Sequence, residues 1–373
     1  MNRIRILIVD ESSVSRDALR RILSADDDLD LVAVTGSGKV ALARLTELNP
    51  DVVLLDVIEP EKEGLKTLAA FRQKAPSLPI VIFSQLADRG SQVTVDALLL
   101  GVNDYLKKPE SHVVLESCIR NELTTKIKKL STHRSGQTGF RPSEGSAVLG
   151  RSPIAANQSR AANAAIEAKS SQPGSTPQVE LVAIAASTGG PNALASLLSS
   201  LPRSFVTPMI IVQHMGAGFT TSLAESLSRQ SGRIVREVES PQTLTEGSIW
   251  IAPGGRHVTV TKRGNVIQVA PNDEPEVNGC RPSADMLFRS VAATVGAHCL
   301  AVVLTGMGND GLEGSRAIKQ AGGSILAQDE ASSIVWGMPG QVVTAGLADM
   351  VLPLNDISRH LSRFVNSRGM NAG

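Results

Sequence analysis

The chain alternates twice between short apolar runs and amphipathic helical stretches, and residues 131–178, which separate the two alternations, carry few large apolar side chains. The first run, IRILIV at 4–9, is β-branched and bounded by charge, which suits a buried strand of a parallel sheet. A helical pattern follows over Ser15–Leu23. The alternation then repeats: strand at Leu31–Thr35, helix at Lys39–Leu48, strand at Val52–Leu55, helix at Leu65–Lys74, strand at Ile80–Phe83 and helix at Gln92–Leu100. A short strand at Asp104–Leu106 and a helix from about Val113 complete five pairs. This pattern predicts a doubly wound (βα)5 domain.

Residues 131–178 are rich in Ala, Ser, Gln and Pro and cannot bury enough surface to offset their ordering entropy. They read as a flexible linker, with an alanine-rich stretch at Ala155–Lys169 able to form a transient helix. A second α/β alternation starts at Val179. Strands are expected at Leu181–Ala185, Met209–Val212, Ser248–Ala252, Leu300–Leu304 and Ser324–Ala327. Helices are expected at Asn192–Leu201, Thr220–Ser228, Ala284–Val295 and Leu312–Ala321. Two short runs flank Gly264-Asn265, a hairpin signal, so this doubly wound α/β domain includes a β-hairpin excursion. The expected boundaries are 1–125, a linker at 126–178, and 179–368.

Charge excludes some functions. Lys and Arg number 37 against 36 Asp and Glu, which leaves no electrostatic case for nucleic-acid binding. The N-terminal apolar run stops at Asp10, too early for a signal-peptide core, and no run reaches the roughly 20 residues of a spanning helix. The expectation is a cytoplasmic protein without direct membrane insertion. Three cysteines, Cys118, Cys280 and Cys299, lack metal-ligand spacing, which argues for a reducing compartment and against a disulfide framework or a zinc site.

Polar residues end the strands of the first domain, where open α/β sheets bind ligands. Asp10 and Glu11 follow the first strand, Asp56 the third, Ser84 the fourth and Lys108 the fifth. Three carboxylates in one pocket repel one another unless a cation lies among them, and a hard, oxygen-liganded ion such as Mg²⁺ suits them. Lys108 adds a second positive charge and Ser84 a hydroxyl. The set suits carboxylate attack on a phosphoryl donor to give an aspartyl phosphate. Taken singly, each acidic residue reads equally well as a helix cap or a solvated loop residue.

In the second domain, the first strand runs into Ser187-Thr188-Gly189-Gly190-Pro191. A serine after an apolar strand, two glycines and a proline at a first helical position describe a strand–turn–helix junction. The junction exposes a hydroxyl at the sheet edge beside a helix N-terminus. It resembles a nucleophile elbow with Ala185 in the first glycine position, though a serine N-cap or a phosphate-cradling turn reads the same way. His214 follows the strand MIIVQ and reaches the same edge. His257, after Pro253-Gly254-Gly255-Arg256, is a loop candidate for substrate contact. Asp310, in Thr305-Gly306-Met307-Gly308-Asn309-Asp310-Gly311, stands at another strand end and is a candidate to orient an imidazole. Asp285 competes with it, although its surroundings read as a helix start.

Residues 4–120 resemble a bacterial response-regulator receiver domain, through IVDES at 8–12, LLDV at 54–57, FS at 83–84 and YLKKP at 105–109. The resemblance implies that Asp56 is the phosphoacceptor and that Asp10, Glu11, Asp56 and the backbone carbonyl of Ile58 hold Mg²⁺. It places Ser84 and Tyr105 at switch positions, with Lys108 as the active-site lysine. Glu59 stands where the family usually carries methionine. Its added negative charge is expected to weaken phosphorylation or alter donor preference.

Residues 179–368 resemble the catalytic domain of chemotaxis protein-glutamate methylesterases. The motifs are ASTGGP (186–191), QHM (213–215), APGGRH (252–257), RPSADMLF (281–288), LTGMGNDG (304–311) and QDEASSIVWGMPG (328–340). The resemblance implies Ser187 as nucleophile, His214 as general base and then acid, Asp310 as orienting acid and the Met307 N–H as oxyanion donor. No cofactor is implied at this site. The implied activity is hydrolysis of glutamate methyl esters on methyl-accepting chemotaxis receptors, releasing methanol, with deamidation of receptor glutamines as related chemistry. A chemotaxis histidine kinase is the implied phosphodonor, and the receiver is expected to cover the esterase until phosphorylated. A receiver-coupled transcription factor would need a helix-turn-helix output and a basic surface, and neither is evident.

Overall fold

The computed structural model describes residues 3–57, 63–84, 92–108, 112–137 and 179–366. In the first unit, strands β1 (Ile4–Val9), β2 (Leu29–Thr35), β3 (Val52–Leu55), β4 (Ile80–Ser84) and β5 (Asp104–Lys107) form one parallel sheet in the order β2-β1-β3-β4-β5. Helices α1 (Ser13–Ser24), α2 (Gly38–Leu48), α3 (Glu63–Lys74), α4 (Gln92–Leu99) and α5 (His112–Gln137) alternate with them. Helix α1 starts where Ser12 caps it, its side chain accepting the Ser15 N–H at 3.3 Å. It then turns Ala18, Leu19, Ile22 and Leu23 onto the sheet, one apolar stripe at helical spacing.

The strand order reverses between β1 and β3, so Asp10 and Asp56 meet at the switch point where such sheets bind ligands. Helix α5 continues to Gln137, past the boundary at 125 expected from the sequence. The rest of the expected linker, including Ala155–Lys169, lies outside the described residues.

The second unit has a seven-stranded parallel sheet. Its strands are β6 (Leu181–Ala186), β7 (Met209–Gln213), β8 (Val235–Glu237), β10 (Ile249–Ile251), β13 (Cys299–Val303), β14 (Ser324–Gln328) and β15 (Met350–Leu352), ordered β15-β14-β13-β6-β7-β10-β8. Each central strand is buried on both faces, which is why β6 reads LVAIAA without alternation. Strands β11 (His257–Arg263) and β12 (Val266–Asn272) pair antiparallel around Gly264-Asn265, as expected, and β9 (Gln242–Thr243) adds a third strand the sequence did not suggest. Helices α6 (Gly190–Ser200), α7 (Phe219–Ser231), α8 (Ala284–Val295), α9 (Leu312–Gln320), α10 (Met338–Thr344) and α11 (Leu354–Asn366) cover the sheets. Here the order reverses between β6 and β13, so the loops carrying Ser187 and Asp310 flank the second switch point. Among the described residues, no helix is long and apolar enough to cross a membrane.

Phe288 on α8 is fully buried among Leu287, Val291, Ala301 and Ile318. Phe288→Ala should lower stability by about 3–5 kcal/mol, seen as an earlier chemical-denaturation transition. Val266→Ala, at an exposed position, should change it by no more than about 0.5 kcal/mol.

Candidate active site

At the first switch point, Lys108 Nζ lies 2.8 Å from Asp10 Oδ2 and 2.6 Å from Asp56 Oδ2, with all three side chains buried. One ammonium shared by two carboxylates offsets the repulsion that would otherwise separate them. Asp10 is held further by the Ser12 N–H at 2.9 Å and the Ser15 hydroxyl at 2.5 Å. Burial and the nearby Asp10 raise the Asp56 pKa, against the pull of Lys108. A cavity of about 260 Å³ opens here, lined by Asp10, Glu11 and Asp56 among others. Ser84 donates to the Val57 carbonyl at 2.8 Å, which places its hydroxyl beside the residue following Asp56. Ile58 and Glu59 lie outside the described residues. Tyr105 points away from this pocket: its ring packs on Phe219 at 4.9 Å and its hydroxyl accepts the Gly216 N–H at 3.4 Å, both in the second unit.

The second switch point is built around Asp310, which is 2% exposed. Its Oδ1 accepts the Ser283 hydroxyl at 2.7 Å and the Asp285 N–H at 3.1 Å. Its Oδ2 accepts the Ala284 N–H at 2.6 Å and faces His214 Nε2 at 2.7 Å. Two of those donors open helix α8, so the helix N-terminus also stabilises the carboxylate. Burial opposes the charged form of Asp310, but His214, Ser283 and Ala284 outweigh it and lower the pKa. For His214, burial again opposes charge, yet the Asp310 contact and Cys280 prevail, and the pKa is raised to about 9. Nδ1, the nitrogen not engaged with Asp310, lies 3.9 Å from Cys280 Sγ.

Ser187 directly follows β6 and lines, with His214, Cys280 and Met307, a cavity of about 890 Å³. Close backbone contacts hold its loop. The Ser187 N–H donates to Thr305 O at 3.0 Å, and buried Gln213 donates from Nε2 to the Ser187 carbonyl at 2.9 Å. A Cβ on Gly306 would lie 2.9 Å from that of Ser187, so glycine there permits the approach of the two loops. Gly189 takes φ +79°, which turns the chain from strand to helix directly after Thr188. The Met307 N–H has no acceptor among the described residues.

The competing residues separate clearly. Asp285, buried on α8, accepts from the Gly314 N–H at 2.7 Å and from Asn278 Nδ2 at 2.9 Å, and is spent on structure. His257, expected from the sequence as a loop candidate for substrate contact, is not among the residues lining the cavity that Ser187 lines. It is fully buried, accepting the Ser283 N–H at Nδ1 (3.1 Å), with Nε2 3.0 Å from Pro275 O. The glycine loop before it turns the ring inward, where it braces the segment that donates to Asp310. Gln213 and Gly306 were missed by sequence reasoning. Gln213 had a signal in its position beside His214, whereas the role of Gly306 depends on two loops 119 positions apart.

The cavity has two owners. Leu98, Asp104, Tyr105, Lys107 and Lys126 of the first unit line it opposite Ser187. Thr188 donates to Asp104 Oδ2 at 2.7 Å, and the Gly189 N–H to Asn103 O at 3.1 Å. Asp104 in turn accepts from half-buried Lys126 at 3.0 Å. Farther out, Gln92 Nε2 donates to the Ser226 hydroxyl at 2.7 Å and Asn192 Nδ2 to the Leu98 carbonyl at 2.5 Å.

Two doubly wound sheets, one with an acidic pocket, the other with serine, histidine and aspartate at its strand ends, define a receiver domain joined to a second, catalytic α/β domain. Residues 182–361 match the CheB methylesterase family model and residues 6–120 the response regulator receiver domain. A protein-glutamate methylesterase/protein-glutamine glutaminase of Trichodesmium erythraeum is 42% identical over 366 residues, covering 97% of this chain and 99% of the relative. A protein of the same name from Nocardioides sp. is 40% identical over 369 residues, covering 97% and 96%. The crystal structure of the Thermotoga maritima CheB methylesterase catalytic domain aligns with a TM-score of 0.49 at 36% identity, over 50% of this chain and all of that one. The chain belongs to the CheB methylesterase family, with a response regulator receiver domain at its N-terminal side.

Asp310→Ala removes the group that favours the imidazolium, so His214 should titrate at lower pH than in the parent. Imidazole NMR signals followed against pH check this, and an unchanged titration would refute the assigned cause. The variant also leaves buried donors unpaired and should lose about 1–3 kcal/mol of stability.

Proposed function

We propose that this chain hydrolyses glutamate methyl esters on the cytoplasmic part of methyl-accepting chemotaxis receptors, under control of phosphorylation at Asp56. The observation that carries the reading is the Asp310–His214 contact at 2.7 Å, opening onto the cavity that Ser187 lines. The names of the curated relatives support both ester hydrolysis and glutamine deamidation.

Ser187 Oγ attacks the γ-carbonyl carbon of the ester as neutral His214 takes its proton. Asp310 keeps the ring oriented through Nε2 and stabilises the imidazolium that forms. Negative charge then develops on the carbonyl oxygen, beside the Met307 N–H and the N-terminus of α6. Protonated His214 donates to the departing methoxide, which leaves as methanol. Water, deprotonated by the same imidazole, attacks the acyl-serine and releases glutamate. Glutamine follows the same course with ammonia leaving. None of these steps calls on a cofactor.

In the receiver, Asp10, Glu11 and Asp56 are a hard oxygen set that fits Mg²⁺, with the Ile58 carbonyl outside the described residues. When bound, Mg²⁺ neutralises charge on the phosphoryl group as it transfers. Lys108, already on Asp56, takes part of that same charge. A histidine kinase is the phosphodonor the receiver suits, and the chain acts in the cytoplasm. In the arrangement described, Asp104 and Asn103 grip the two residues that follow Ser187, so the receiver restricts access to the nucleophile. Phosphorylation acts by favouring an arrangement in which that grip is released.

Methanol release from methylated receptor membranes tests the reading. Ser187→Ala should abolish it, and Asp56→Asn should remove activation by a small phosphodonor. Release that survives Ser187→Ala would discard the nucleophile. Because the base must be neutral and the His214 pKa is raised to about 9, the parent rate should climb as pH rises toward that value. Gln92→Ala and Asn192→Ala each delete a contact between the two units that does not involve Ser187 itself. Either should raise the unstimulated rate about fivefold, the effect of roughly 1 kcal/mol on a closed–open balance. An unchanged basal rate in both would argue against the restricting contact.

A further inference from the structure

Cys280 is half-buried at the rim of the Ser187 cavity and contributes to none of the steps above. Its Sγ lies 3.9 Å from His214 Nδ1, and ligand atoms of His214, Cys280 and Asp310 all fall within 4.8 Å of one another. We propose that His214 Nδ1 and Cys280 Sγ form a site for a soft divalent cation, with Zn²⁺ as its natural occupant, and that occupancy shuts down the serine site.

Three features point to a cation of this class. First, the spacing fits. Zinc takes sulfur at about 2.3 Å and nitrogen at about 2.0–2.1 Å, so a tetrahedral angle sets the two donors roughly 3.6 Å apart. The 3.9 Å separation closes to that with a small movement of a half-buried loop side chain. Second, the outer shell is already built. A ligating histidine usually donates its other ring N–H to a carboxylate, which fixes the ring and raises its basicity, and Asp310 stands at Nε2 at 2.7 Å. Asp310 is not itself a ligand, because its two oxygens are occupied by Ser283, Ala284, Asp285 and His214. Third, the donor set selects. Thiolate and imidazole favour Zn²⁺ over Mg²⁺, which prefers oxygen. The receiver's ion and this one therefore would not compete.

Binding displaces the Cys280 S–H proton and, where His214 is an imidazolium, the proton on Nδ1, and both pass to solvent. Water completes the coordination from the cavity side. With only two protein ligands, the site is weaker than a closed structural zinc centre and exchanges its ion readily. The blocking effect rests on the proposed esterase mechanism: a cation on Nδ1 takes the electron pair that the serine proton needs. The two ligands lie 66 positions apart in the chain, which is why no ligand spacing in the sequence announces them.

Co²⁺ titrated into the full-length protein reads the site without any assay of activity. The parent should develop a thiolate-to-cobalt charge-transfer band, and Cys280→Ala, which keeps Cys118 and Cys299, should lack it. A band that persists in Cys280→Ala overturns the proposal. In the activity arm, Zn²⁺ should inhibit methanol release reversibly with a chelator. Each protein is normalised to its own metal-free rate, and Cys280→Ala should need at least about tenfold more Zn²⁺ for half inhibition. Equal sensitivity of the two proteins overturns the inhibitory role. A parent that releases no methanol but shows the cobalt band would remove the esterase reading and leave the metal site standing.

Discussion

A single buried carboxylate organises the second domain's site. Asp310 would be costly to bury as a bare ion, since desolvation penalises an isolated charge heavily. Three donors from one short segment, the Ser283 hydroxyl and the Ala284 and Asp285 N–H groups, offset that cost and bring the start of α8 against the loop after β13. The fourth contact, to His214, is the one with chemical consequence. Because the other three hold Asp310 ionised, the imidazole beside it has a fixed orientation and a preference for its charged form. His257 extends the brace one step outward by accepting the Ser283 N–H. The loops after β7 and β13 and the N-terminus of α8 are thus held in one register by charge and hydrogen bonds as well as by the packing of Ala284 and Phe288.

The receiver uses a different device at its own switch point. There, one lysine serves two carboxylates. Adding a phosphoryl group at Asp56 changes the charge that Lys108 faces, and Lys108 follows β5, the strand whose other residues grip the esterase. Asp104 links Lys126 to Thr188, and Tyr105 seats on Phe219. The strand that leads to Lys108 in the acidic pocket and the strand that touches the residue after Ser187 are therefore the same short element.

The cavity between the domains concentrates several kinds of chemistry in a small space. Ser187, His214 and Cys280 share it with the charged edge of the receiver. Burial sharpens each electrostatic contact there, because charges in a poorly solvated space interact more strongly than in water. Lys126 illustrates the balance: burial works against its charge, but Asp104 and Glu122 outweigh burial and raise its pKa.

Much of this architecture was written in local sequence. Parallel strands buried on both faces must be short, continuous and apolar, so β1, β3, β4, β6, β7, β13 and β14 announced themselves, and with them the strand ends that carry Asp10, Asp56, Ser187, His214 and Asp310. Strands β8, β9 and β15 did not, because two- and three-residue strands at sheet edges bury too little to leave a pattern. The order of strands decided the rest. Local sequence favoured His214 and Asp310 by their places after strands and read Asp285 as a helix start, but it could not show which of these residues touch. Tertiary structure turned His257 into the core and Asp310 onto His214, brought Gly306 against Ser187 and set Cys280 beside Nδ1. Sequence determines which residues stand at a sheet's edge because hydrophobic periodicity is a local property. Which of them touch is a property of the closed chain, settled by the burial and hydrogen-bond demands of groups far apart along it.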